Sequence, residues 1–302
     1  MSKNFNVAAA SFVTGIPLSL DAGWLVMAMD DIAAQEIDHS AILKFDRGLF
    51  EPICLKMFRS KHVAWLPGRR EVVFIGANGE CTSIGSNGLD HDEKVTTSAR
   101  NPGNTGDVRA ATSIGDEIIV VGMQRQVYRR LGPNSWIDMM QGIPLADPAV
   151  TTGFECVLAI SPTEVYAAGW NGELWLFDGT SWHQLGSPTN GVITALCFNW
   201  NGEVVGCGRN GLLIAGRNDQ WRIMDEVDCP DDLWSLASAS EKLFAAGLRH
   251  MFTITATEVK QTDLGDCTAR TFGKLVSTGE VIWSFGEKDF LSFDGKKWTQ
   301  FV

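Results

Sequence analysis

The sequence predicts an all-β propeller of seven four-stranded blades, with six or eight blades as the alternatives. Three observations carry that prediction. A short unit of a charged residue, an apolar run and a glycine recurs along the chain. Asn-Gly turns follow several of its copies, and a tryptophan closes four of them.

The unit reads Glu71-Val-Val-Phe-Ile-Gly76, Glu117-Ile-Ile-Val-Val-Gly122 and Glu164-Val-Tyr-Ala-Ala-Gly169. It returns as Glu203-Val-Val-Gly-Cys-Gly208, Lys242-Leu-Phe-Ala-Ala-Gly247 and Glu280-Val-Ile-Trp-Ser-Phe-Gly286. The glycines are 46, 47, 39, 39 and 39 residues apart, and three equal intervals mark a true repeat. An earlier run, Gly23-Trp-Leu-Val-Met-Ala-Met29, ends 47 residues before Gly76 and supplies a seventh copy without the terminal glycine. These runs are apolar on both faces, as strands covered on both sides are. Asn78-Gly79, Asn171-Gly172 and Asn210-Gly211 offer the positive φ that two-residue hairpins need. Trp136, Trp182, Trp221 and Trp298 follow their glycines by 14, 13, 13 and 12 residues, and one indole per blade makes a wedge between neighbouring sheets.

The expected organisation is one domain, 1–302, with blades at 5–56, 57–104, 105–150, 151–190, 191–230, 231–267 and 268–302. The last blade ends on its own fourth strand, so closure of the ring needs little help from the N-terminus. The stretch from Asp30 to Leu55 is the least blade-like, and an insertion is expected there.

Composition narrows the function classes. At 302 residues and 45% hydrophobic, the chain can build a large core without disulfides. No run of eighteen apolar residues is present, and the first residues do not read as a secretory signal. Seven widely spaced cysteines with no Cys-x-x-Cys pair fit free thiols in a reducing cytoplasm. A net charge of −11 repels nucleic acid and acidic membranes, so neither is an expected partner.

Phe177-Asp178-Gly179-Thr180-Ser181-Trp182 and Phe293-Asp294-Gly295-Lys296-Lys297-Trp298 resemble the turn of Asp-box (BNR-like) propeller repeats. The segment from Gly169 to Trp182 is similar to blades of bacterial propellers of that superfamily. In this chain the aspartate and glycine adjoin, where the Asp box proper places one residue between them. The resemblance implies the propeller fold. Some members of the superfamily are sialidases, which need an arginine cluster, an acid and a tyrosine nucleophile. Only Tyr128 and Tyr166 are available here, and Tyr166 falls inside an apolar run that reads as core. Gly15-Ile16-Pro17 stands where such enzymes carry Arg-Ile-Pro, so the resemblance does not extend to that chemistry.

Other chemistry is equally sparse. His39, His62, His91, His183 and His250 have no metal-ligand spacing. The acidic runs Asp90-His91-Asp92-Glu93 and Asp228-Cys229-Pro230-Asp231-Asp232 lack a calcium-loop pattern. Phosphate-binding loops and nucleophile elbows are also missing. No cofactor and no metal is called for.

One geometric expectation remains. In a propeller the turns between second and third strands gather at one mouth of the central channel. Here those turns carry Arg125, Trp170 with Asn171, Arg209, Arg249 with His250, and Lys288, which puts cations on the rim of an acidic protein. The rim is therefore expected to bind an anionic ligand or an acidic peptide, with Trp170 as an apolar anchor. Against it stands the commoner use of arginine and lysine at turn tips for solubility. The expected function is a non-enzymatic, intracellular protein-binding module. Its concrete form is an acidic, immunity-type partner that neutralises a basic toxin. The rival reading is a lectin or glycan-active enzyme using the rim, and a third is a scaffold for several proteins.

Overall fold

The computed structural model describes residues 5–95, 107–147, 149–224, 229, 231–255 and 258–302. Residues 1–4, and Asp228 and Pro230 of the acidic run, lie outside them. Seven antiparallel four-stranded sheets span 10–56, 60–94, 108–138, 154–184, 193–223, 235–261 and 274–300. Each falls inside its predicted blade. The innermost strands touch their neighbours all the way round, from the seventh back to the first, so the sheets form a seven-bladed propeller around a channel.

The recurrent unit is the second strand of each blade. Glu71–Gly76 is buried at every position, and Glu117–Gly122 and Glu164–Gly169 at all but the first. The terminal glycine has a steric cause. A Cβ on Gly122 would lie 2.2 Å from the carbonyl oxygen of Asp107, and one on Gly169 would lie 2.2 Å from that of Gly153. At Gly122, Gly169, Gly208 and Gly286 the connection entering the innermost strand crosses directly over the end of the second, and only glycine lets the two backbones approach so closely. The Asn-Gly turns follow the predicted chemistry. Asn171 and Gly172 have φ of 59° and 69°, and Asn210 and Gly211 of 54° and 68°, whereas at Asn78-Gly79 only the glycine is left-handed.

The core is divided among the seams between blades. Of the four closing tryptophans, Trp182 and Trp298 are buried and Trp136 and Trp221 partly so. Trp182, Trp221 and Trp298 wedge against the preceding blade. Trp298 stands edge-on to Phe244 at 5.3 Å and Trp221 edge-on to Tyr166 at 5.9 Å, while Trp182 donates to the Met139 carbonyl at 2.8 Å. Tyr166 is core, its hydroxyl donating to Glu164 Oε1 at 3.0 Å and accepting from the Asn218 amide at 3.0 Å. The ring closes without strand exchange, because the first and last blades each own all four of their strands.

The expected insertion after Asp30 is smaller than predicted. A single helical turn, Asp30–Ala33, and a short connection occupy 30–39, and the rest is blade, with third and fourth strands Ser40–Asp46 and Leu49–Lys56. Two features hid the strands. The fourth is largely exposed although it carries Leu49, Ile53 and Leu55, and its register slips by one residue beside Pro52. Met29 replaces the marker glycine here, and its amide donates to His39 Nε2 at 2.7 Å.

Candidate functional site

The channel mouth on the side of the second-to-third-strand turns is built by a repeated irregularity. In five blades the innermost strand slips register by one residue near that end. The unpaired residues are Val13, Lys61, Arg109, Glu155 and Thr194, and all five line one cavity of about 510 Å³. A bulge leaves a residue out of the ladder and re-aims its side chain, here into the channel. In four of the five the bulge sits beside the marker glycine, so one steric device explains both the repeat and the site. Blades 6 and 7 run in regular register and contribute Trp234 and Lys274 at the same height.

The electrostatics are one-sided. Lys61, Arg109, Arg209 and Lys274 line the cavity against a single carboxylate, Glu155. Glu155 Oε1 accepts a 2.5 Å hydrogen bond from Trp170 Nε1 and stands 3.7 Å from Arg109 Nε. Burial, then the nearby Arg109 and Arg59, holds the Lys61 ammonium below the usual lysine range. Burial does the same to Lys274. His62 is pushed down to about 3, chiefly by burial and then by Lys274 and Lys61, so the ring is neutral at pH 7. Arg209 lies over the Trp234 ring with Cζ 6.0 Å from the centroid, at the lip.

Of the rim residues expected from the sequence, Trp170 and Arg209 line this cavity. The other five have different work or none. Arg125 is half-buried between blades 3 and 4, where it makes a bidentate pair with Glu173 and lies 5.9 Å over Trp175. Lys288 ties blade 7 to blade 1 through Asp30 Oδ2 at 2.6 Å and the Ala10 carbonyl at 2.8 Å. His250 Nδ1 pairs with Asp231 Oδ2 at 2.7 Å, and Asn171 Nδ2 donates to the Thr151 carbonyl at 3.1 Å. Arg249 is exposed. Two of the four rim cations are thus spent on carboxylates of neighbouring blades, and apart from Arg209 the positive charge of the mouth comes from the innermost strands. Lys61, His62, Arg109, Glu155, Trp234 and Lys274 were not singled out. A signal existed: charged residues interrupting apolar first strands, as in Val108-Arg109-Ala110 and Phe154-Glu155-Cys156.

Among the described residues no group of three or more histidine, cysteine or acidic side chains is placed to hold a metal. All seven cysteines are free. Burial pushes the Cys156 thiol well up and Cys207 and Cys197 up to about 12, so these thiols stay protonated. In the two Asp-Gly turns, Asp178 Oδ1 accepts from the amides of Thr180 and Ser181 at 2.8 and 2.9 Å. Asp294 Oδ1 accepts from those of Lys296 and Lys297, both at 2.8 Å.

Fold and site together define a seven-bladed propeller whose channel opens through a cationic mouth in an otherwise acidic chain. Along 299 residues the chain is 33% identical to the immune protein Tsi7 of Pseudomonas aeruginosa, covering 96% of both chains. It belongs to the family of that protein. No family model matches the chain, that of the Asp-box repeats included. Solved propellers share the fold at far lower identity. YCF48 from Cyanidioschyzon merolae superposes with a TM-score of 0.68 at 15% identity, over 94% of this chain and 95% of its own. A virginiamycin B lyase from Staphylococcus aureus reaches 0.69 at 9% identity, over 97% of both.

Proposed function

We propose that the chain is an immunity-type protein, an intracellular partner that binds a toxic protein and blocks it without catalysing a reaction. The observation that carries this reading is the 33% identity, over 96% of both chains, to a protein named for immunity. Likeness spread over all seven blades supports retention of a whole binding surface and not of one motif.

The charge supports a basic toxin. The chain carries −11 in all, and its mouth holds an excess of cations, so the negative charge lies on the remaining surface. Such a surface attracts a basic protein at long range and speeds its encounter. The toxin then docks away from the mouth. The same relative, named for immunity, supports a non-catalytic role, and at the mouth His62 is neutral and the Cys156 thiol protonated.

The test has two stages. The tagged chain is incubated with lysate of its native host at low and moderate salt, and the retained proteins are identified by mass spectrometry. Each captured protein is then expressed in a sensitive bacterium with and without the chain. A captured protein that arrests growth alone and not in the presence of the chain is the expected result. Turnover of a glycan panel by the chain alone, with no growth rescue, would overturn the reading.

A further inference from the structure

We propose that the channel mouth is a binding site for a small multivalent oxyanion, a phosphate- or carboxylate-bearing metabolite held by Lys61, Arg109 and Lys274, with Arg209 at the lip. The proposal goes beyond the immunity reading and does not depend on it.

Elsewhere this chain pairs the cations it buries. Arg130 is held by Glu71 and Glu93, and Arg125 by Glu173. At the mouth it does not. Among the described residues, neither Lys61 nor Lys274 forms a salt bridge within 4.0 Å, and Arg109 reaches Glu155 only at 3.7 Å and Asp107 at 3.9 Å. The one carboxylate in the cavity is already engaged by Trp170. Two polar atoms shielded from solvent there, Arg109 Nε and His62 Nε2, also have no protein hydrogen-bond partner among the described residues. Partly buried cations without a close carboxylate, and an unused guanidinium donor at Arg109 Nε, cost stability, and a sequence that aims them inward accepts that cost at a place where a ligand offsets it.

Size and chemistry select the ligand. A cavity of about 510 Å³ admits a molecule of many atoms, within the ordinary range for small-molecule sites. The cations come from blades 2, 3, 5 and 7, so one ligand meets them all only by offering several oxygens. The Arg109 guanidinium matches a bidentate carboxylate or phosphate, and the lysines supply point charges. Trp170 and Trp234 at the mouth give the ligand an apolar edge to rest on. Burial and the nearby Arg109 already hold Lys61 below its usual range, and the negative charge of a bound oxyanion opposes that shift.

The purified chain alone suffices for the test. Calorimetric titrations are run with pyrophosphate, with citrate, and with sodium chloride at matched ionic strength. One-to-one binding of pyrophosphate or citrate, and none of chloride, is expected. The Lys61→Met/Lys274→Met double variant should bind about tenfold more weakly or worse. Its ligand-free thermal midpoint should equal or exceed that of the natural chain, because it removes uncompensated charge. Arg209→Ala, at the exposed lip and safe for folding, should weaken binding by a smaller factor. Failure of both oxyanions to bind above chloride at millimolar concentration overturns the proposal, as does unchanged affinity in both variants. A peptide of consecutive aspartates that binds the mouth while pyrophosphate and citrate do not also overturns it.

Discussion

Between blades 7 and 1 the ring closes on aromatic side chains, whereas between blades 2 and 3 it is held across a buried guanidinium. At the closing seam Trp283, Phe290 and Phe45 meet edge to face, with centroids 5.0 Å apart for Trp283–Phe290, 5.0 Å for Phe45–Phe290 and 5.7 Å for Phe45–Trp283. The polar tips are satisfied across the seam, since Trp283 Nε1 and the Ser292 hydroxyl both donate to the Leu20 carbonyl, at 3.0 and 2.8 Å. At the other seam Arg130, only 1% exposed, donates to Glu93 Oε1 at 2.5 Å and to Glu71 Oε1 at 2.9 Å. Glu93 also accepts from the Asn134 amide. The closing seam joins residues 272 positions apart at Ser292 and Leu20, with no shared strand, so its contacts must repay a large loop-closure cost. Non-directional apolar burial suits that task. The ionic seam joins adjacent blades and fixes their alignment through directional bonds.

The two seams should therefore fail differently. Trp283→Ala removes the largest buried ring of the closing seam and should cost about 4–5 kcal/mol in denaturant unfolding, the largest single effect expected here. Trp283→Phe, which keeps an aromatic ring, should recover more than half of that loss. Arg130→Met leaves two buried carboxylates without their cation and should cost about 3 kcal/mol. Adding Glu71→Leu and Glu93→Leu to it should bring stability back to within about 1 kcal/mol of the natural chain, since an apolar triad of similar volume replaces a fully removed network. If the triple variant is less stable than Arg130→Met alone, the ionic seam supplies net stability and the contrast with the aromatic seam collapses.

Much of this architecture was legible because it follows from local steric rules. The marker glycines announce the crossing of two backbones, the Asn-Gly pairs announce left-handed turns, and Trp136, Trp182, Trp221 and Trp298 announce the seams. The site was half legible for the same reason. Trp170 and Arg209 were reachable from the turn positions alone. Whether Arg125 and Lys288 are free or spent depends on Glu173 and Asp30, which lie on neighbouring blades and share no sequence pattern with them. Lys61, Arg109 and Glu155 face the channel only because a one-residue bulge shifts their phase. Strict alternation from the strand pattern would have misassigned the residues beyond the slip. In the first blade the exposed Leu49, Ile53 and Leu55 broke the apolar-inside pattern from which strands are read.

The channel mouth extends the comparison to charge that the protein does not pair. Burial, followed by Lys274 and Lys61, depresses His62 from 6.5 to about 3, so the folded chain refuses a proton that the unfolded chain accepts between those values. Its contribution to stability is complete above about pH 6.5 and shrinks as the pH falls. Glu71 also weakens the protein in acid, but later. Burial works to raise its carboxyl, the bonds from Arg130 and Ser83 outweigh that, and the net lowering matters only below its ordinary value of 4.5. The two windows overlap only below pH 4.5, so the range from 6.5 to 4.5 belongs to His62. Between pH 6.5 and 4.5 the natural chain should lose about 2 kcal/mol through His62, a loss that His62→Leu should largely abolish while leaving the steeper decline at lower pH. Denaturant titrations at half-unit pH steps would separate the windows, and an unchanged upper window in His62→Leu would show that the ring is protonated in the folded state.

The smallest effect should come from the polar link at the closing seam. Lys288 reaches across to Asp30 at 2.6 Å and to the Ala10 carbonyl, but both charged side chains are more than two-fifths exposed, at 44% and 43%. Water screens such a pair and competes for its hydrogen bonds, so Lys288→Met should cost less than about 1 kcal/mol. Methionine keeps the length of the lysine stem, which isolates the charge as the variable. Raising salt should shrink even that small difference, while the cost of Trp283→Ala should persist. A loss at Lys288 as large as that at Trp283, and one that vanishes in high salt, would mean that the ring is closed by charge at its rim. On the packing described here, the aromatic wedge beneath that rim carries the closure, and the lysine only orients the helical turn at Asp30–Ala33 against it.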